Sequence, residues 1–262
     1  MDFLVDLYDT GLGYSSINTA RSALSSFGIL MTGQSFGSHP LVIRLMKAVY
    51  NMRPNMPRYK DIWDVDIVLF YLRKLSPVKY LSLKELTLKL VMLLALITSA
   101  RAQTLHLLDL ECMKKLKDKF VFTMPKIIKQ SRPGFENPDI IAKAYPVDRR
   151  ICVYTVIKEY LQRTKFVRKD NYLLVSYIKP HVQVSASTIS RWIKTVMQKS
   201  GIDIKKYKAH SVRAAATSKA SNNNIPIQEI MKLAGWTQKS TFAKFYHKKV
   251  VRSTDAVSAI LK

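Results

Sequence analysis

The stretch from Leu90 to Ala100 limits what this chain can fold into more than any other feature. It is the most apolar run in the sequence, with Lys84, Glu85 and Lys89 just before it. At about 11 residues it is too short to span a bilayer core of about 30 Å. It suits a helix buried inside a domain, and no membrane partner is expected. With 262 residues, 48% of them hydrophobic, the chain has the material to wrap such a helix in a core.

Hydrophobic periodicity sets the organisation around that helix. Ser15 and Ser16 are placed to cap a helix in which Ile17, Ala20, Leu24, Phe27 and Leu30 recur at helical spacing. A second helical pattern, Leu41 to Val49, follows Pro40. In NMRPNMPRYKD, residues 51–61, Pro54 and Pro57 block helix continuation and Arg53, Arg58 and Lys60 add charge. This divides the chain into a small helical unit (1–52), a linker (53–61) and a larger domain (62–262). In the larger domain the patterns predict helices over 64–75, 82–100, 147–163, 187–199, 210–222, 226–234 and 239–249. Ser187 is the predicted amino-terminal cap of the fourth of these, and Gly201 its stop. Residues 119–128, KFVFTMPKII, turn β-branched and aromatic, and turn residues follow at Gly134, Asn137 and Pro138. The expected class is mainly α with one small antiparallel β-sheet.

Charge points to the partner. Lysine and arginine number 43 against 18 acids, a net +25. Such a surplus repels itself in a compact state unless a polyanion neutralises it, which favours nucleic acid. Cys112 and Cys152 form no CxxC pattern and read as thiols of a reducing compartment. The opening MDFLVDLYDTG carries acids where a signal peptide needs a basic flank, so an intracellular protein is expected.

Four features then combine into one chemistry. His210 and Arg213 stand three apart on one predicted helix; Trp236 follows Arg213 by 23 residues; Tyr246 lies in FAKFYHK, four after Phe242; and Arg101 ends the apolar helix. Cleavage of a phosphodiester builds charge on the non-bridging oxygens, which forked guanidinium groups bind two at a time. Arg101 and Arg213 can clamp a phosphate from two sides. A tyrosine, with an ordinary pKa of about 10, attacks at neutral pH only once positioned and deprotonated. His210 can assist that proton transfer or hold a phosphate oxygen. The leaving 5′ oxygen needs a proton, for which Lys129 in PKIIKQSRPG is suited, with Lys126 its competitor.

In this order (Arg101, Lys129, His210-x-x-Arg213, Trp236, Tyr246) the residues resemble the catalytic set of the tyrosine recombinase, or phage integrase, family. IQEIMKLAGWTQKSTFAKFY is similar to the family's segment before its nucleophile. KQSRPG, ARAQTL, TARSALSS and SHPLVIRLMKAV resemble eukaryotic transposon-borne Crypton and DIRS-like members. The resemblance implies the recombinase catalytic fold preceded by a short helical core-binding domain. It implies cleavage of double-stranded DNA without metal, ATP or other cofactor, through a 3′-phosphotyrosyl bond and a free 5′ hydroxyl. It further implies a homotetramer on paired sites, and a nuclear location if the host is eukaryotic. Two departures stand out. Thr104 replaces the acid that many relatives carry three positions after the first arginine, and Trp236 precedes Tyr246 by 10 residues, one more than usual. The usual spacing falls on Phe245, which has no hydroxyl.

Taken singly, each residue has an ordinary reading: Arg101 as a helix-end cation, Trp236 as a core aromatic, Tyr246 as one of 13 tyrosines. Lys129 lies among Lys114, Lys115, Lys117, Lys119, Lys126 and Arg132, a run that also suits a phosphate-facing surface. From 191 to 213 a basic stripe adds Arg191 and Lys194 as candidates for base contacts, with Lys126 and Arg132 as further DNA-binding candidates. In the closing stretch, 251–262, Val257, Ile260 and Leu261 share one helical side. That side packs on its own domain or, as the resemblance implies, docks into a neighbouring subunit. Two rival functions stand beside this one: a type IB topoisomerase-like nicking and closing activity using the same residues, and a domesticated DNA-binding protein that keeps the fold without catalysis.

Overall fold

A computed structural model describes residues 1–124, 126–128, 131, 134 and 137–251. The chain forms two compact units, Met1–Arg58 and Tyr59–Lys262. The division falls inside the proline-containing stretch, and Asp61–Trp63 at its end already form a strand of the larger unit.

In the first unit, helices α1 (Asp2–Asp9), α2 (Tyr14–Ser26) and α3 (Pro40–Met52) enclose Leu4, Ile17, Phe36, Val42, Met46 and Val49. A two-residue-per-strand hairpin, β1 (Leu30–Met31) and β2 (Gln34–Ser35), joins α2 to α3. The helix expected to run through Leu30 stops at Ser26, and Phe27 and Leu30 are exposed. Its cap is Gly13, ahead of Ser15 and Ser16. Arg53, expected as linker charge, closes this unit instead: its guanidinium donates to the carbonyls of Tyr8 and Leu12 and lies 3.8 Å from the Tyr8 ring centre.

The larger unit contains β3 (Asp61–Trp63), α4 (Val65–Lys74), α5 (Leu83–Thr98), α6 (Ala102–His106), β4 (Met113–Lys115), β5 (Lys119–Phe122) and β6 (Ile140–Lys143). They are followed by α7 (Val153–Thr164), α8 (Ala186–Lys199), α9 (Ser211–Asn222), α10 (Ile227–Ala234), α11 (Lys239–Thr241) and β7 (Lys249–Val251). The axis is α5, the apolar run itself. Ser82 and Glu85 close its start reciprocally, the Glu85 amide donating to Ser82 Oγ and the Ser82 amide to Glu85 Oε2. From Leu86 to Leu96 every residue is buried. A helix apolar on all sides must be covered on all sides, and α7, α8 and α9 pack around it. Each fully buried leucine in it contributes about 1.5–3 kcal/mol.

Strands β4, β5 and β6 make the expected antiparallel sheet, with Phe120 opposite Ala142 and Phe122 opposite Ile140 on the buried side. Of the strand-like stretch 119–128, only 119–122 is strand. A second, parallel pair joins β3 to β7. The cap of α8 is Ser185, whose Oγ accepts from the Thr188 amide, rather than Ser187. Among the described residues no helix is long and apolar enough to cross a membrane.

Lys89 sits on the all-apolar axis with no exposed surface, its ammonium donating to the carbonyls of Leu72 and Leu75 where α4 ends. Burial pushes its pKa down to about 8. The unfolded chain holds this proton up to about 10.5, whereas the folded chain releases it near 8. Stability from this group therefore rises with pH between those values. Urea unfolding of the parent and Lys89→Met across pH 8–10.5 should show their difference shifting toward the parent by up to about 3 kcal/mol. A pH-independent difference would contradict this account.

Candidate active site

The site is assembled where α5 and α10 end. α5 closes on Ser99 in left-handed backbone (φ 49°, ψ 24°), and α10 closes on Gly235 (φ 63°, ψ 39°). Arg213, in the first turn of α9, is 2% exposed. Its Nη1 donates to the Ser99 carbonyl and its Nη2 to the Ala234 carbonyl. Both acceptors lie at helix carboxy-terminal ends, which carry partial negative charge and so solvate a buried cation. The guanidinium also lies 4.5 Å from the Trp236 ring centre and 5.5 Å from that of Tyr246. Burial, and then the neighbouring Arg101 charge, push its pKa down to about 10, so it stays a cation at neutral pH.

His210 caps α9 instead of lying within it, so it stays exposed while Arg213 turns inward. Its Nε2 is 3.0 Å from Tyr246 Oη. The single helix expected over 239–249 is broken. The short α11 gives way to a π-helical turn, Phe242–Tyr246, and His247 is extended. Such turns recur at functional sites because they re-aim side chains. Here the turn sets the Tyr246 ring 4.3 Å from that of Trp236. Ser218 secures the backbone of that turn, its Oγ donating to the Tyr246 carbonyl at 2.7 Å and accepting from the Lys248 amide at 3.0 Å. No sequence signal marked Ser218, because a buried helical serine is ordinary in composition.

Arg101 is the first residue before α6, half-buried, and lines a cleft of about 70 Å³ with His210, Arg213, Ser190 and Ile193. Among the described residues no carboxylate lines it. Two of its residues carry buried donors with no acceptor among the described residues, Arg101 Nη1 and Arg213 Nε, and so does Trp236 Nε1 beside Arg213. An oxyanion with several acceptor oxygens is the partner that such donors fit. Thr104, which replaces the usual acid, is buried beside Arg213 and Ile128. Main-chain carbonyls, not a carboxylate, are the acceptors of Arg213.

Arg191, exposed, and Lys194, half-buried, stand on α8, whose Ser190 and Ile193 form the cleft wall. Lys126 is engaged elsewhere. Its Nζ donates to Tyr172 Oη at 2.5 Å and lies 3.8 Å from Asp109, and the Tyr172 hydroxyl holds its pKa above the ordinary value. Lys129, Arg132 and residues 252–262 lie outside the described residues. Before Lys129 in sequence comes Ile128, which lines a small cavity with Thr104 and Arg213. Asn137 donates to the carbonyls of Met124 and Lys126 and accepts from Ser131 Oγ.

The phage integrase family model matches residues 75–252, about two thirds of the chain. The chain belongs to this family, the tyrosine recombinases. Solved structures agree in fold. The XerA recombinase aligns at 17% identity and TM-score 0.52, covering 99% of this chain and 87% of that one. The XerH site-specific recombinase bound to palindromic difH substrate aligns at 13% and 0.62, covering 92% and 65%. The Tn1549 transposon integrase in complex with transposon right end DNA aligns at 12% and 0.63, covering 99% and 82%. Among curated proteins, nothing matches.

The unsatisfied donors lead to a direct expectation. Inorganic phosphate or sulfate at millimolar concentration should raise the melting temperature of this recombinase-family protein. Arg101→Ala should remove most of that increment; an equal increment in the variant would place the anion elsewhere.

Proposed function

We propose that this chain is a site-specific DNA recombinase that breaks and rejoins strands through Tyr246. The observation that carries the reading is the contact of Tyr246 Oη with His210 Nε2 at 3.0 Å, beside two arginines with unsatisfied donors. Arg101 and Arg213 hold the non-bridging oxygens of the scissile phosphate. Trp236, packed between Arg213 and Tyr246, keeps both in place. His210 accepts the phenolic proton as the tyrosyl oxygen bonds to phosphorus. The bond from phosphorus to the 5′ oxygen breaks, and Lys129 protonates that oxygen. The reverse attack by a 5′ hydroxyl reseals the strand, so one phosphodiester replaces another and no ATP is consumed. Lys129 is preferred to Lys126 because Lys126 is engaged by Tyr172 and Asp109.

Double-stranded DNA as the partner is supported by the charge of +25 and by the carboxylate-free cleft. It is also supported by the DNA complexes of XerH and the Tn1549 integrase. Arg191, Lys194, Lys126 and Arg132 are the proposed DNA contacts. Exchanging both strands of two duplexes takes four cleavages, one per nucleophile, which supports a homotetramer on paired sites. The segment 251–262 is proposed to link its subunits. Residues 1–52, within the first unit, are proposed as a core-binding domain. The Crypton- and DIRS-like phrases support a mobile element of a eukaryotic host, acting in the nucleus for integration or excision.

A nicked suicide duplex carrying the element's terminal sequence should trap a covalent protein–DNA adduct. Tyr246→Phe should abolish it, and an adduct surviving in that variant would sink the assignment. Lys129→Ala should slow cleavage by about 10²–10⁴. A 5′-bridging phosphorothiolate, whose thiolate leaves without a proton, should restore the rate. The same rescue in Lys126→Ala, and not in Lys129→Ala, would reverse the choice. Replacing Arg191 and Lys194 together by alanine should lower the salt dependence of DNA binding by about two counterions if both meet phosphates. An unchanged slope would remove them from the backbone contacts.

A further inference from the structure

The strand β3 lies outside the cleft, yet its contacts run to both sides of the His210–Tyr246 pair. On one side, Trp63 is 3% exposed and its indole Nε1 donates to Ser211 Oγ at 2.9 Å. Ser211 is the residue after His210 and opens α9. Nearby, the Tyr207 hydroxyl donates to Asp61 at 2.5 Å, and the Lys206 ammonium pairs with the same carboxylate at 2.7 Å. The Lys208 amide donates to Tyr59 Oη at 3.1 Å. On the other side, β3 pairs in parallel with β7, placing Asp61 opposite Lys249, Ile62 opposite Val250 and Trp63 opposite Val251. That strand starts three residues after Tyr246. One short segment, residues 59–63, thus holds the chain that delivers His210 and the chain that leaves Tyr246.

The local energetics make this holding consequential. The Tyr246 ring lies between two apolar clusters, packing against the small one of Ile230, Ala234, Trp236 and Phe242 and against the edge of the main core around α5. A short turn that breaks regular helical bonding also depends on its ends for a fixed position. Ser218 ties the turn to α9, and β7 ties its exit to β3. Displacing either partner by a fraction of an ångström lengthens the 3.0 Å contact through which the phenol is activated.

Resting on the recombinase reading above, we infer that Trp63 is a positioning residue for strand cleavage, setting the His210–Tyr246 contact through Ser211 and through β7. Among the described residues no hydrogen bond or ring contact joins it to Arg101, Arg213 or Tyr246. Its indole N–H is the part assigned the function; Trp63→Phe removes that donor with part of the buried ring, whereas Ser211→Ala removes the acceptor and leaves the ring in place.

The test is single-turnover cleavage of the suicide duplex by the full chain, with DNA affinity and melting temperature measured in parallel. Trp63→Phe and Ser211→Ala delete the two halves of one hydrogen bond. Each should slow cleavage about tenfold with DNA affinity unchanged, and the double variant should be no slower than the singles. The deficit should persist on the 5′-bridging phosphorothiolate, since the defect lies in nucleophile placement and not in protonation of the leaving group. Cleavage at the parent rate in both single variants would overturn the inference. So would rescue by the phosphorothiolate, or a loss of affinity and melting temperature in proportion to rate. If Trp63→Phe fails to fold, Ser211→Ala alone decides. An inactive parent, or an adduct in Tyr246→Phe, would overturn the recombinase reading itself, a result distinguishable from slow variants of an active parent.

Discussion

A guanidinium enclosed by protein is costly unless every side of it is answered, and the geometry of this molecule's centre follows from how Arg213 is answered. Two helices that differ in length and composition, α5 and α10, both end against it, each offering a carbonyl from its electronegative end. Both ends are closed by left-handed residues, Ser99 and Gly235, which turn the chain sharply so that the carbonyls point inward. The turn after Ser99 also delivers Arg101 at the head of α6, and the turn after Gly235 delivers Trp236. The cation therefore organises the residues around it as much as they hold it.

The second constraint is the division of the larger unit between a heavy core and a light one. The apolar axis α5 is enclosed by α7, α8 and α9 and holds the arginines. The tyrosine sits where a small cluster meets that core, kept in place by Ser218 and by the pairing of β3 with β7. In the function proposed above, this separates the fixed phosphate-binding cations from a nucleophile held by long-range contacts.

Much of this was legible in the sequence, and the parts that were not share a physical cause. The buried axis was readable because eleven consecutive uncharged residues have no other good use in a chain of this kind. The grouping of Arg101, His210, Arg213, Trp236 and Tyr246 was readable because their order resembles the family's catalytic set. Periodicity overran the ends. It carried α2 through the exposed Phe27 and Leu30, and it ran one helix over 239–249 where a π-helical turn re-aims the chain. Caps were misplaced by two residues at Ser187, since serines at 185 and 187 are equally suited until backbone angles choose between them. The contacts of Ser218, Trp63 and Ser211 join residues far apart in the chain, and no local pattern encodes a single long-range hydrogen bond.

The carbonyl partners of Arg213 have a consequence for how such a protein drifts. A carboxylate partner is lost with one codon change, and its loss strands a buried charge. A peptide carbonyl is present whatever side chain is attached to it, so positions 99 and 234 can change identity without removing the acceptor, provided the two turns survive. The feature that selection must keep there is a backbone path. This chain retains its family's fold at identities of 12–17% to the XerA, XerH and Tn1549 proteins.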